Sequence, residues 1–236
     1  MSGERVLLIV PTYNERENVA DVAEHFLAPL DSAELLFVDD ASPDGTGAVI
    51  DEISAANPRV HVLHRRGKLG LGTAYLEGFA WGMERGFDYL VEMDADFSHD
   101  PRHLPALVDL AREGADVVVG SRYVNGGGTV NWGIGRQLIS RGGGLYARTV
   151  LGVRIRDLTS GFVCYRREAL SQIDLDDIHS GGYSFQIEMK YRAVKAGLRV
   201  VEHPIVFVDR RVGESKMSRA IFAEALVMVW KLRFRP

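Results

Sequence analysis

The sequence predicts an α/β fold, a mostly parallel Rossmann-like sheet flanked by helices. Two observations carry that prediction. Short apolar runs alternate with longer amphipathic stretches, and turn or polar residues bound each run. At 236 residues, 46% of them apolar and 25% charged, the chain buries a large core without disulfide staples. The elements follow in order. Val6–Val10 reads as a buried strand, then a helix over 16–28, a strand at Leu35–Val38 and a helix over 46–56. A strand at Val60–Leu63 precedes a helix over 73–85, and Tyr89–Met93 is the fourth strand. The helix over 101–113 has a start signal, with Asp100 as N-cap and Pro101 in the first turn. Val117–Val119 is the fifth strand.

After residue 121 the rhythm changes. Asn125-Gly-Gly-Gly128 reads as a loop, followed by a helix over 135–151, a strand around 162–165, a helix over 184–196 and a strand over 200–208. A polar loop at 209–218 precedes a terminal helix. No repeat or low-complexity linker interrupts the chain, so the change near 121 marks a division of labour within one domain.

Composition excludes several classes. Lys plus Arg number 28 and Asp plus Glu 32, a net charge of −4, which argues against a uniformly basic nucleic-acid binder. One cysteine, Cys164, permits no intrachain disulfide and reads as a small core residue. The first apolar run is too short for a signal segment. No stretch approaches the ~18 uninterrupted apolar residues of a membrane span.

In open parallel sheets, ligands bind beyond the carboxyl ends of the strands. Those ends carry Pro11-Thr-Tyr-Asn-Glu15, Asp39-Asp-Ala-Ser-Pro-Asp-Gly-Thr46, Asp94-Ala-Asp96 and Gly120-Ser-Arg122. Asp44 and Asp100 read as caps. Asp94 and Asp96 do not: two carboxylates at the mouth of a buried strand repel unless a cation neutralises them. A hard divalent ion such as Mg²⁺ or Mn²⁺ takes oxygen ligands and bridges to phosphates. No G-x-G-x-x-G follows the first strand and no P-loop is present, which argues against a dehydrogenase or a P-loop enzyme. The turn Gly67-Lys-Leu-Gly-Leu-Gly-Thr73 either approaches a phosphate or sugar or is an ordinary turn into a helix. No G-x-S-x-G hydrolase elbow appears. The scattered histidines and single cysteine make zinc a poor fit, and His99 reads as structural.

Taken with Lys68-Leu-Gly-Leu-Gly-Thr-Ala74, Gly120-Ser-Arg-Tyr123, Asp157-Leu-Thr-Ser-Gly-Phe162, Phe185-Gln-Ile-Glu-Met189 and Asp209-Arg-Arg-Val-Gly-Glu-Ser-Lys216, these motifs resemble, in the same order, the dolichol-phosphate and polyprenol-phosphate mannose synthases. Those are inverting family 2 glycosyltransferases with the nucleotide-diphospho-sugar transferase (GT-A) fold. The resemblance implies a GT-A domain over 1–217, with a nucleotide-sugar half at 1–121 and an acceptor half at 122–217. It implies that Pro11, Tyr13, Glu15, Val38, Asp40 and Lys68 line the nucleotide-sugar pocket. Asp94, Ala95 and Asp96 would meet the diphosphate, with Asp94, Asp96 and Ser98 around the metal; the family often has Gln where Ser98 stands. Arg122, Arg210 and Lys216 would contact the donor or the transferred phosphate, and Arg136, Ser140 and Arg141 the acceptor phosphate.

The implied reaction is metal-dependent transfer of mannose from GDP-mannose to a polyprenyl (dolichyl-type) monophosphate. Its acceptor oxygen is already anionic, so charge stabilisation matters more than a strong base. Arginine forks match phosphate oxygens, although a solvated face is the plain alternative for any single arginine. Arg136 and Arg141 stand five apart and would flank one anion if the helix began between them or the loop folded back. The terminal segment 218–236 has an apolar run, Leu226-Val-Met-Val-Trp230, followed by Lys231, Arg233 and Arg235. It reads either as a helix at a membrane interface or as one packed on the core. The expected location is peripheral, on the cytoplasmic face of a membrane, held there by the chain itself or through a separate membrane-anchoring protein. The competing readings are a UDP-glucose-dependent transferase with the same lipid acceptor and a non-catalytic nucleotide-sugar module.

Overall fold

A computed structural model describes residues 4–178, 180–208 and 219–234; of Tyr183 and residues 219–226 only the backbone is described. Seven strands form the central sheet in the order β3-β2-β1-β4-β7-β5-β8. They are β1 (Val6–Thr12), β2 (Ala33–Asp39), β3 (Val60–His64), β4 (Tyr89–Glu92), β5 (Val117–Ser121), β7 (Val163–Arg166) and β8 (Val200–Pro204). Pairing is parallel except at β7, which runs antiparallel to both β4 and β5. A second, two-stranded parallel sheet joins β6 (Gly128–Val130) to β9 (Val206–Val208).

Alternation along β1 divides the core. Val6, Leu8 and Val10 face one layer with residues of α1 (Val19–Leu27), α2 (Thr46–Ala56) and α4 (Leu104–Arg112). Leu7 and Ile9 face the other, with residues of α3 (Leu71–Glu84) and α7 (Gly182–Lys195). Glycines let α3 lie close to the sheet: a Cβ on Gly78 would come 2.5 Å from Ile9 Cγ2, and one on Gly82 2.7 Å from Leu7 Cδ2. A third cluster joins α5 (Ile134–Leu151), α7 and α8 (Arg219–Phe234) through Leu151, Ile187, Tyr191, Val229 and Leu232.

The alternating β-α organisation of the first half is as read from the sequence. Three points differ. The segment 125–128 contributes Gly128 to β6, because β9 lies alongside to pair with it. The expected strand over 200–208 breaks at Ile205, whose N–H donates to Ser121 O, and its two parts enter different sheets. A short helix, α6 (Arg167–Leu170), follows β7 at once. The loop 209–218 lies outside the described residues.

Candidate active site

The order β2-β1-β4 places the sheet's switch point at β1, where a crevice opens at the carboxyl ends. Antiparallel β7 brings a further segment there. Val163 pairs with both Glu92 and Val119, so residues 157–162 arrive between the ends of β4 and β5. The backbone marks this edge. Asn14, Ala41 and Phe97 have φ of 59°, 53° and 58°, the first two within strand-end motifs and Phe97 directly after Asp96. Left-handed φ at Ala or Phe costs energy that the surrounding structure must over-determine.

At the end of β1, Tyr13 lies beneath Lys68, whose Nζ is 3.9 Å from the ring centre. Glu15 N–H donates to Thr46 Oγ1 (3.0 Å), and Glu15 Oε2 accepts from Asn18 Nδ2 (2.8 Å). Pro11 is half-buried beside them. Asp39 accepts from Thr12 Oγ1 and from Ser42, and so organises the turn after β2. Asp40 is buried and paired with Arg65, and its Oδ2 accepts from Gly70 N–H at 3.1 Å. Arg65 also donates to Glu77 (3.0 Å) and Thr73 Oγ1 (2.6 Å), fixing the glycine-rich turn that carries Lys68. Val38, expected at the pocket, is fully enclosed on the α3 side of the core, so its side chain presents no surface to a nucleotide. Asp100 caps the turn at Pro101 through Arg102 N–H, as expected. Asp44, expected as a cap, instead precedes the N-cap Gly45 of α2 and accepts from Thr46 N–H and Arg16 N–H.

After β4, Tyr75 OH donates to Met93 O at 3.2 Å and lies 3.4 Å from Asp94 Oδ1. Burial, then the Asp94 charge, pushes its phenol well above the ordinary range, so Tyr75 remains a donor. Asp96 Oδ1 accepts from Ser98 N–H at 3.0 Å, and Ala95 is buried between the two acids. Among the described residues no cluster of three or more His, Cys, Asp or Glu is ready for a metal. The donor chemistry nonetheless fits a hard divalent ion that takes its remaining oxygens from a diphosphate. Asp94 and Asp96 stand beside Ser98 Oγ, which is buried without a protein partner. Facing Asp94 is Gly161, where even a Cβ would lie 3.5 Å from Oδ2. His99 is enclosed against Phe162 and Phe207, and burial lowers its imidazole to about 4. The ring, read from the sequence as structural, has its Nδ1 buried 3.9 Å from Asp94 Oδ2.

Across Gly161 lies the arginine side. Arg122 is buried against Asp157: Nε–Oδ2 and Nη2–Oδ1 are both 2.7 Å, and Arg122 N–H donates to Oδ2 at 2.9 Å. Burial works against ionising Asp157, but the Arg122 charge and bonds outweigh it and hold the carboxyl below the usual range. The Arg122 guanidinium stands 5.3 Å from the Tyr123 ring centre, 5.5 Å from Trp132 and 5.3 Å from Phe207. Arg136 stacks over Trp132 at 4.1 Å and Arg141 stands 5.9 Å from Tyr123, whose hydroxyl bonds Ser140 Oγ at 2.6 Å. So Arg122, Arg136, Ser140 and Arg141 come together, though not because α5 begins between the arginines. It begins at Ile134, and two aromatic rings bridge the five-residue spacing. Arg210 and Lys216 lie outside the described residues.

The scan against protein families matches Glycosyl transferase family 2 over residues 7–174. This chain belongs to that family. Among curated relatives it is 52% identical over 233 residues to the undecaprenyl-phosphate mannosyltransferase of Micrococcus luteus, covering 98% of this chain and 96% of that one. It is 49% identical over 235 residues to the polyprenol monophosphomannose synthase of Mycolicibacterium smegmatis, covering 98% and 89%. Among solved structures, glucosyl-3-phosphoglycerate synthase from Mycobacterium tuberculosis, in complex with Mn²⁺, UDP and glucosyl-3-phosphoglycerate, has a TM-score of 0.71 at 21% identity. That match covers 100% of this chain and 82% of that one. At that identity the likeness is one of fold. The chain is a glycosyltransferase.

Arg65, Tyr75 and Asp157 received no role from the sequence. A reading of the residues after β3, as after the other strands, finds Arg65 at once. Asp157 becomes visible only when β7 is known to run backwards.

Proposed function

We propose that this glycosyltransferase moves mannose from GDP-mannose to a polyprenyl monophosphate, with inversion, assisted by Mg²⁺ or Mn²⁺. The observation that carries the reading is the pairing of two clusters at the carboxyl edge, Asp94 facing Gly161 and arginines gathered on Trp132 and Tyr123. The activities of the two relatives near 50% identity support it. Asp94, Asp96 and Ser98 would hold the metal. When bound, the metal offsets charge developing on the leaving diphosphate. Tyr13, Lys68 and the turn tied down by Arg65 hold the nucleotide. Arg136, Ser140 and Arg141 receive the acceptor phosphate, whose oxygen attacks the anomeric carbon while the bond to the diphosphate breaks, so no base need remove a proton.

The acceptor's lipid tail calls for a membrane surface, and we place the enzyme there as a peripheral protein. No helix of the described residues is long and apolar enough to cross a membrane. The terminal helix combines both of its sequence readings. Val229 and Leu232 pack inward, whereas Val227, Trp230 and Phe234 are exposed, next to Lys231 and Arg233. On neighbouring α5, Ile134, Leu138 and Leu145 are also exposed.

The decisive assay incubates the protein with radiolabelled GDP-mannose or UDP-glucose, polyprenyl phosphate and Mg²⁺ or Mn²⁺. Lipid-extractable label from GDP-mannose alone is expected; label from UDP-glucose alone, or binding without transfer, overturns the reading. Flotation with anionic vesicles tests the surface, and a protein left at the bottom of the gradient rules the peripheral placement out.

A further inference from the structure

Behind the carboxyl edge, three polar side chains lie where packing alone would call for apolar ones. Lys190 of α7 and Glu92 of β4 are 0% exposed, and Gln186 of α7 is 3% exposed. Lys190 Nζ donates to Ser160 O at 2.7 Å, to Gln186 Oε1 at 2.8 Å and to Gln186 O at 3.2 Å. Gln186 Nε2 in turn donates to Glu92 Oε2 at 2.7 Å. Burying an ammonium is costly, and a hydrocarbon of similar volume would fill the same space at less cost. Burial lowers Lys190 and raises Glu92 from their ordinary ranges, and the attraction between their charges opposes both shifts.

What the ammonium reaches gives the cluster its meaning. Ser160 Oγ donates to Gly120 O at 2.6 Å, and Gly120 N–H donates to Phe162 O at 2.8 Å, so this turn grips the end of β5. The next residue, Gly161, faces the Asp94 carboxylate. Asp157, three residues before Ser160, holds Arg122 through its main-chain and side-chain N–H groups. At the other end of the chain of bonds, Glu92 is the last residue of β4, two residues before Asp94. Lys190 thus ties the segment carrying the counter-ion of Arg122 to the strand that leads into Asp94.

We propose that Lys190 is a positioning residue. Through the Ser160 carbonyl it latches the 157–161 segment, and so sets the separation between the Asp94 carboxylate and the Arg122–Asp157 pair. The latch stands on geometry; its effect on turnover rests on the transfer reaction proposed above. A shift of about 1 Å between reacting groups lowers turnover by as much as ~100-fold, while ground-state binding of either substrate changes little.

The test compares wild type, Lys190→Met and Lys190→Met/Glu92→Gln as full-length proteins. The double variant removes the buried carboxylate left without its ammonium, and it carries the comparison should the single variant unfold. Amide hydrogen exchange is expected to rise at least about tenfold over 157–162 and at Arg122 in both variants, with β1–β3 unchanged. The kcat is expected to fall about tenfold or more, with the donor KM within about twofold of wild type. Glu92→Gln should return the thermal midpoint toward wild type without returning kcat. Unchanged exchange over 157–162 overturns the latch. Recovery of kcat together with the midpoint also overturns it, since Lys190 would then only balance a buried charge. A wild type that moves no mannose defeats the function instead, and the exchange comparison still decides the latch.

Discussion

On the carboxylate side of the crevice, side chains are fixed by backbone. Asp39, Asp40 and Asp96 each accept from main-chain N–H groups at strand ends, in turns where Ala41 and Phe97 take left-handed φ. On the arginine side, Trp132 and Tyr123 form the frame, and Arg122, Arg136 and Arg141 lie on these rings. The first arrangement is rigid, as the approach of a small hard ion requires. The second holds delocalised cations against ring faces, with the Arg122 fork bound by Asp157. One crevice thus joins a site built from turns to a site built from stacking.

Substitutions at five positions break or sharpen that contrast. Asp96→Ala should lower kcat/KM by about a thousandfold, the worth of several kcal/mol, with an unchanged circular dichroism spectrum. If the variant keeps normal turnover with divalent ions removed, the carboxylates have another task. Arg122→Ala should cost about 3–5 kcal/mol in urea unfolding, because it leaves Asp157 charged and buried. Arg122→Met/Asp157→Asn should recover much of that loss. The pH dependence follows from the depressed Asp157 carboxyl. Its contribution is present above the unfolded-state value of about 3.9 and is lost as pH falls through the lower folded value. The stability gap between wild type and Asp157→Asn should therefore persist at pH 5 and close only in stronger acid. Gly78→Ala, remote from both sides, should destabilise by about 1–3 kcal/mol by overpacking Ile9, with both KM values unchanged. Trp132→Ala should raise the acceptor KM about fivefold, the worth of one cation–π contact, and leave the donor KM alone. A donor effect of equal size would erase the distinction between the two sides.

The carboxylate side was legible in the sequence because local rules govern it. Apolar runs end, turn residues follow, and acids at those turns lie on one edge by topology alone. Asp100 and Cys164 came out as read for the same reason, whereas Gly45 takes the cap position expected of Asp44. Val38 illustrates the limit: it belongs to a motif, yet its place in the strand alternation points it into the core. The arginine side depends on partners distant in sequence. The pairing of Gly128 with Val206 turns a glycine loop into β6, and Asp157 meets Arg122 only because β7 reverses direction. No periodicity announces a three-residue strand, and none records the direction in which a strand enters a sheet. Lys190 was invisible for a related reason: in sequence it is one more cation on a helix, and only the fold encloses it.

The insertion of β7 also bears on the order of folding. The strands β1 to β4 can pair as the chain is made, since every partner has already been synthesised. Val163 must instead enter between Glu92 and Val119, closing two long loops at once. Gly161 comes to face Asp94, and Asp157 comes to hold Arg122, only at that step. A nascent or partly folded chain can therefore carry every motif of the nucleotide half and still lack the assembled crevice, so catalytic competence arrives with the last strand of the sheet's interior rather than with the first half of the protein.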